Sequence, residues 1–264
     1  MVDTVTSRDG TRIAYEAKGA GAPLVMAGGA MQERATTGIV RPLLEPHFTV
    51  VTYDRRGRAD SGDTPPYAPD REVEDIAALL DMVLQTRGRP AFLYGHSSGA
   101  ILSLRAAMRG LPMAKLVVYE PPFIIPGTRP APPADALARI EAAVASGDRE
   151  GAIALFLGEQ VGLPPEVVTQ MKTLPMWGRL LKLAHTVAYD TQIAANHDVP
   201  AAALAAVTVP TLVLRGSASF PWIHETAAAV ARALPHAELV TLEGQTHNPA
   251  PDVLCPPVIR FLEA

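Results

Sequence analysis

Short runs of consecutive apolar residues alternate along this chain with longer stretches whose apolar positions recur every three or four residues. The first two runs, "TVTS" and "TRIAYEA", flank Asp9-Gly10, and an Asp-Gly pair between alternating runs predicts a β-hairpin. "PLVMA", "FTVVTY", "AFLY" and "KLVVY" follow as β-branched or apolar runs short enough to be buried strands. Helical spacing over residues 73–86, and again up to Met108, fills the gaps. Strands alternating with helices predict a mainly parallel sheet covered on both faces. At Pro121 the pattern changes. "PPFIIPGTRPAPP" leads into an Ala-rich, largely helical region that runs to about Ala206, after which "VTVPTLVLRG" and "AELVTLEG" resume the strand signal around a helix at 225–234. The expected organisation is one α/β core made of residues 1–121 and 207–264, with 122–206 a helical lid inserted after the sixth strand.

Within that pattern one junction carries chemistry. "LYGHSSGAIL" joins a strand to a helix, and Gly95 and Gly99 flank Ser97 in a G-x-S-x-G arrangement. A tight strand-to-helix turn strains its apex residue and tolerates no bulky neighbours, so the glycines suit it. The turn would raise the Ser97 hydroxyl at the carboxyl edge of the sheet, beside amides that open the helix. A phosphate-binding loop fits less well, because neither of the glycine-rich phosphate patterns occurs and no lysine stands nearby.

Composition narrows the classes further. Hydrophobic residues make up 48% and charged residues 19%, an ordinary globular balance, and the net charge is −4. No field of that sign and size recruits nucleic acid or an anionic membrane, and the basic run "RRGR" reads as a packed or solvated turn. The single cysteine, Cys255, excludes an internal disulfide and a thiolate zinc site, and its setting "DVLCPPVIRFL" is that of a packed core residue. No cofactor and no metal are expected. The beginning of the chain has no apolar secretion core, and the longest uncharged run, 199–214, is short and broken by Pro200 and Pro210. A cytoplasmic protein without a membrane partner is expected, acting on a small molecule.

With "PLVMAGG", "YDRRGRADSG", "YGHSSGA", "VTVPTLVLRG" and "LEGQTH" in this order and at these intervals, the chain resembles the α/β-hydrolase family over nearly its whole length. The resemblance implies an eight-stranded, mostly parallel sheet flanked by helices, a lid, Ser97 as nucleophile and a histidine after the last strand as base. That histidine is His247 in "GQTHNP"; the others are His47, His96, His185, His197, His224 and His236. His96 occupies a variable position of the serine turn and reads as a packing residue, while His185 and His197 lie in the insertion. Serine needs an adjacent base to be nucleophilic, and histidine takes and returns a proton near neutrality. The resemblance also implies an oxyanion hole from the amides of Ser98 and Ala30, with Gly28 standing where the family usually has histidine.

The acid departs from the family pattern. Where an aspartate is usual after "PTLVLRG", the chain has "GSASFPW" without a carboxylate. Glu120, directly after "KLVVY", stands where the haloalkane dehalogenases, which resemble this chain in fold, carry theirs. Asp54 is the rival, expected instead to brace "YDRRGR" by pairing with its own arginines. Substrate-facing candidates are Gly29 and the apolar lid residues Phe123, Phe156, Met176 and Trp177. The expected activity is hydrolysis of an ester, thioester or lactone of a small, largely apolar substrate through an acyl-enzyme. The alternative is a non-hydrolytic protein of this fold that binds or cyclises a small metabolite.

Overall fold

A computed structural model describes residues 2–195 and 198–264. Eight strands form one sheet: β1 (Asp3–Thr6), β2 (Arg12–Lys18), β3 (Ala22–Ala27), β4 (Phe48–Tyr53), β5 (Ala91–His96), β6 (Met113–Tyr119), β7 (Thr211–Gly216) and β8 (Ala237–Leu242). Their order across the sheet is β1-β2-β4-β3-β5-β6-β7-β8, with β1 and β2 antiparallel to their neighbours and every later pairing parallel. The continuous apolar runs of β4 and β5 are explained by complete burial of both strands.

Two cores sandwich the sheet. On one face the helices Pro69–Arg87, Ser98–Met108 and Pro221–Ala233 contribute Ile76, Leu79, Ile101, Leu104 and Val230 to a cluster with β3, β5 and β6. On the other, the helix Pro251–Glu263 packs Leu254, Cys255 and Val258 against β3, β4 and β7, so Cys255 is a core residue. Between β6 and β7 lie the helices Ala136–Ala145, Arg149–Leu155, Pro165–Met171, Trp177–Lys182, Val187–Ile193 and Ala201–Leu204, and a single wide turn, Phe156–Val161. This inserted region has an apolar cluster of its own, against which Ala30 and Met31 of the core pack.

The sheet order places a topological switch between β3 and β5, where the chain leaves neighbouring strands in opposite directions across the sheet. A crevice opens at the carboxyl ends of such a pair. β3 runs there into Gly28-Gly29, and β5 into Ser97.

Candidate active site

Ser97 adopts φ 55° and ψ −122°, a left-handed value that a residue with a Cβ rarely takes. Its strain is held by the surroundings: the Ser97 amide donates to Tyr119 O at 3.0 Å, and helix Ser98–Met108 starts immediately afterwards. The flanking glycines are required by close approach. A Cβ on Gly95 would lie 2.5 Å from both Gly99 O and Ser103 Oγ, and one on Gly99 would overlap the Ala27 carbonyl oxygen.

Glu120 is the first residue after β6, and it too has a left-handed backbone, φ 47°. Its carboxylate is fully buried. Oε1 accepts from the Gly216 amide at 2.7 Å and from Ser219 Oγ at 2.6 Å, and Oε2 lies 2.6 Å from His247 Nδ1. Burial alone would raise its pKa, but His247, the Ser219 hydroxyl and the Gly216 amide together hold it below the usual carboxylate value. With Nδ1 engaged, Nε2 is the nitrogen of His247 left to face a substrate, and the His247 side chain is one-third exposed.

The loop bearing His247 is pinned from beneath. Tyr119 Oη donates to Thr246 O at 2.5 Å, and His96 Nε2 donates to His247 O at 2.8 Å. The other nitrogen of His96 lies 3.2 Å from Gln32 Nε2, whose Oε1 accepts from the Gly29 amide at 2.8 Å. His96 is therefore neutral, with its proton on Nε2; burial, followed by the neighbouring His247, pushes its pKa down to about 4. It packs, as expected, but it also ties two functional loops together. Gly29 N–H is committed to Gln32, so this amide is taken up within its own loop. Gly29 itself sits against Ser97, since a Cβ there would lie 3.0 Å from Ser97 Cβ.

The arginine loop differs from expectation. Asp54 pairs with Arg34, through side chain and amide, and with none of its neighbouring arginines. Arg34 reaches the Asp54 carboxylate with both its amide and its guanidinium, while Arg55 is committed to Glu72 and Asp190. Arg55 instead forms a fork with Glu72 at 2.6 and 2.7 Å, and Arg56 does the same with Asp75 at 2.8 and 2.6 Å. Arg58 meets Asp190, from the inserted helix Val187–Ile193, at 2.8 Å. Burial pushes the Asp190 carboxyl up, yet Arg58 and Arg55 bring it below its usual value.

Sequence reasoning missed Gln32, Asp190 and the Ser98 hydroxyl. Asp190 did leave a trace, as the one acid in the apolar stretch "TVAYDTQI", where a carboxylate needs a partner. Of the lid candidates, Phe156 and Trp177 are buried in the inserted cluster that also receives Ala30 and Met31. Phe123 packs in the sheet core, and Thr226 Oγ1 donates to its carbonyl at 2.7 Å. Met176, just before the helix that Trp177 opens, is 39% exposed. His185 Nε2 donates to Gly57 O at 2.7 Å, and His197 lies outside the described residues. Among the described residues no group of three metal-ligating side chains is assembled, and no helix is long and apolar enough to cross a membrane.

A model of the alpha/beta hydrolase family matches residues 24–254. N-formylmaleamate deformylase of Pseudomonas putida is 30% identical over 157 residues, which span 56% of this chain and 57% of that protein. A 2-(acetamidomethylene)succinate hydrolase of Mesorhizobium japonicum is 26% identical over 87% of this chain and 85% of its own. The crystal structure of an alpha/beta hydrolase from Sphaerobacter thermophilus superposes with a TM-score of 0.93 at 47% identity, covering 98% of this chain and all of the other.

Proposed function

Because the chain belongs to the alpha/beta hydrolase family, we propose that it is a serine hydrolase that works by acyl transfer through Ser97, His247 and Glu120. The observation that supports this reading most is the 2.6 Å contact between the buried Glu120 carboxylate and His247 Nδ1, beside a strained serine turn. The carboxylate holds the imidazole in the tautomer whose Nε2 lacks a proton. Nε2 takes the Ser97 hydroxyl proton as Oγ attacks the substrate carbonyl. The negative charge that develops on the carbonyl oxygen meets the amides of Ser98 and Ala30. His247 then returns the proton to the departing alcohol, thiol or amine, leaving an acyl group on Ser97. Water, deprotonated by the same nitrogen, releases the acid and restores the hydroxyl.

Residues 122–206 act in this reading as a lid, with Phe156 and Trp177 setting its apolar underside. The substrate class is a small ester, thioester or lactone, and the names of the two curated relatives add formyl and acetamido compounds to the panel to be tried. Labelling with a fluorophosphonate, read by mass spectrometry, tests the mechanism. The label is expected on Ser97, and Ser97→Ala is expected to abolish both labelling and turnover of short-chain aryl esters. Labelling elsewhere on an active protein refutes it.

A further inference from the structure

We propose that Asp190, carried by the inserted helix Val187–Ile193, is a positioning residue that sets both amides of the oxyanion site. The inference rests on the acyl-transfer reading above. Asp190 Oδ1 accepts from Ser98 Oγ at 2.7 Å and from Arg55 Nη1 at 2.9 Å, while Oδ2 accepts from Arg58 Nη2 at 2.8 Å. One carboxylate thus holds the side chain of the residue that supplies the first amide, and the guanidinium that reaches the second.

That second reach is through Gly29. Arg58 Nη1 donates to Gly29 O at 2.6 Å, with Gln32 O at 3.2 Å and, from Arg55 Nη1, a longer approach to Gly29 O at 3.4 Å. Gly29 C=O and Ala30 N–H belong to one planar trans peptide and point in opposite directions. Fixing the carbonyl therefore fixes the direction of the N–H, and a cation on the carbonyl oxygen makes that N–H a stronger donor. Arg58 is fully buried and must be neutralised. Glu72 is already committed to the fork of Arg55 and to Tyr67 Oη at 2.7 Å, so the charge on Arg58 falls to Asp190.

The residue before Asp190 secures the same helix to the core: Tyr189 stacks on Tyr67 with ring centroids 3.8 Å apart, and its hydroxyl donates to Asp63 at 2.6 Å. The oxyanion site is complete only while the insertion is seated. Any displacement of the Val187–Ile193 helix takes the carboxylate with it, releasing Arg58 and the Gly29–Ala30 peptide together.

The test compares Asp190→Asn with Asp75→Asn. Asp75 is as deeply buried and forks with Arg56, but neither residue touches Ser98 or Gly29, so this variant reports the effect of breaking a buried ion pair alone. Loss of an entire oxyanion donor lowers kcat by about 10²–10³-fold, and misdirecting a retained donor should cost less, about 10–100-fold. For Asp190→Asn we expect that fall in kcat on an aryl ester, an equal loss of affinity for a trifluoromethyl ketone that forms a tetrahedral adduct, and little change in KM. Asp75→Asn should lower the melting temperature while leaving kcat and ketone affinity in place. Equal kcat in the two variants overturns the proposal. Should Asp190→Asn not fold, Ser98→Ala decides, since it keeps all four charges paired: unchanged ketone affinity there overturns the proposal as well. If Ser97→Ala retains turnover, the acyl-transfer reading fails and takes this inference with it. If Ser97→Ala is inactive and Asp190→Asn is silent, only the positioning role falls.

Discussion

Replacing Glu120 by glutamine preserves the shape of the side chain and removes its charge, and the surroundings decide how the new amide must lie. Oε1 of Glu120 accepts two hydrogen bonds, one from a buried backbone amide, whereas Oε2 makes only the contact with His247. Turning the NH2 group toward Gly216 would set donor against donor and leave that amide unpaired, at about 1–3 kcal/mol. The carbonyl oxygen of the introduced glutamine therefore keeps the Oε1 place, and its NH2 group faces His247 Nδ1. A donor there forces the imidazole proton onto Nε2, so that nitrogen can no longer accept the proton that the proposed mechanism takes from Ser97. The same tautomer reversal in another serine triad costs ~10⁴-fold in kcat, equivalent to about 5 kcal/mol of barrier. Stability should change far less, by about 1–2 kcal/mol, because the partners of the side chain stay paired and lose only the contribution of its charge. Stopped-time hydrolysis of an aryl ester and thermal melting at pH 7.5 measure the two quantities for Glu120→Gln. A variant within tenfold of the wild-type kcat refutes the assignment of Glu120; a variant that is inactive because it has unfolded does not support it.

Three other outcomes are expected. His96 protonates near 6.5 when unfolded and near 4 when folded, so between those values only the unfolded chain takes up the proton and stability falls with falling pH, by about 3 kcal/mol in all. His96→Gln removes that dependence, so the melting temperatures of variant and wild type should converge between pH 7 and 4.5; parallel curves contradict the buried neutral ring. Glu120, whose pKa is lowered, contributes in a separate window, its stabilisation lost only as the pH falls below about 4.5. Gly99→Ala places a Cβ on the Ala27 carbonyl oxygen and 2.5 Å from Gly28 O, backbone atoms that cannot turn aside, so a loss of about 3 kcal/mol and slower fluorophosphonate labelling are expected. A wild-type urea midpoint for this variant would show the turn to be looser than described. Phe156→Ala leaves a void in the inserted cluster and should cost about 3–5 kcal/mol, an effect visible in the same urea titration and absent if the ring merely lines a cleft.

The strands were legible because both sheet faces are covered, so the buried strands appear as short, mostly apolar runs, with β3, β5 and β7 also bounded by glycine or proline. The turn at Ser97 was legible because its neighbours Gly95 and Gly99 are dictated by backbone approach. The ionic core was not. Arg55 meets Asp190 across 135 positions of sequence, and no local pattern records such a pairing. Nearness in sequence even misdirected it, since Asp54 stands beside Arg55 yet pairs with Arg34. The lid residues show a further limit. Helical spacing tells which side of a helix is covered, not what covers it, and Phe156 and Trp177 lie in the cluster against which Ala30 and Met31 pack.

The position of the acid follows from the order of the strands. β6 and β7 are neighbours in the sheet, with Tyr119 paired to Leu214, so carboxylates placed after either strand converge on the same space beneath His247. Occupying both places would set two negative charges about 3 Å apart, and one of them would stay protonated at neutral pH. The chain resolves this by placing a hydroxyl after β7: Ser219 donates to Glu120 Oε1 at 2.6 Å and steadies the carboxylate. The serine found where an aspartate is usual is thus the partner that a carboxylate at 120 requires. The strained φ of 47° at Glu120 has the same origin, because the chain must turn sharply off β6 while the side chain remains under the imidazole. Hydrogen bonds from Gly216, Ser219 and His247, together with complete burial, hold it there.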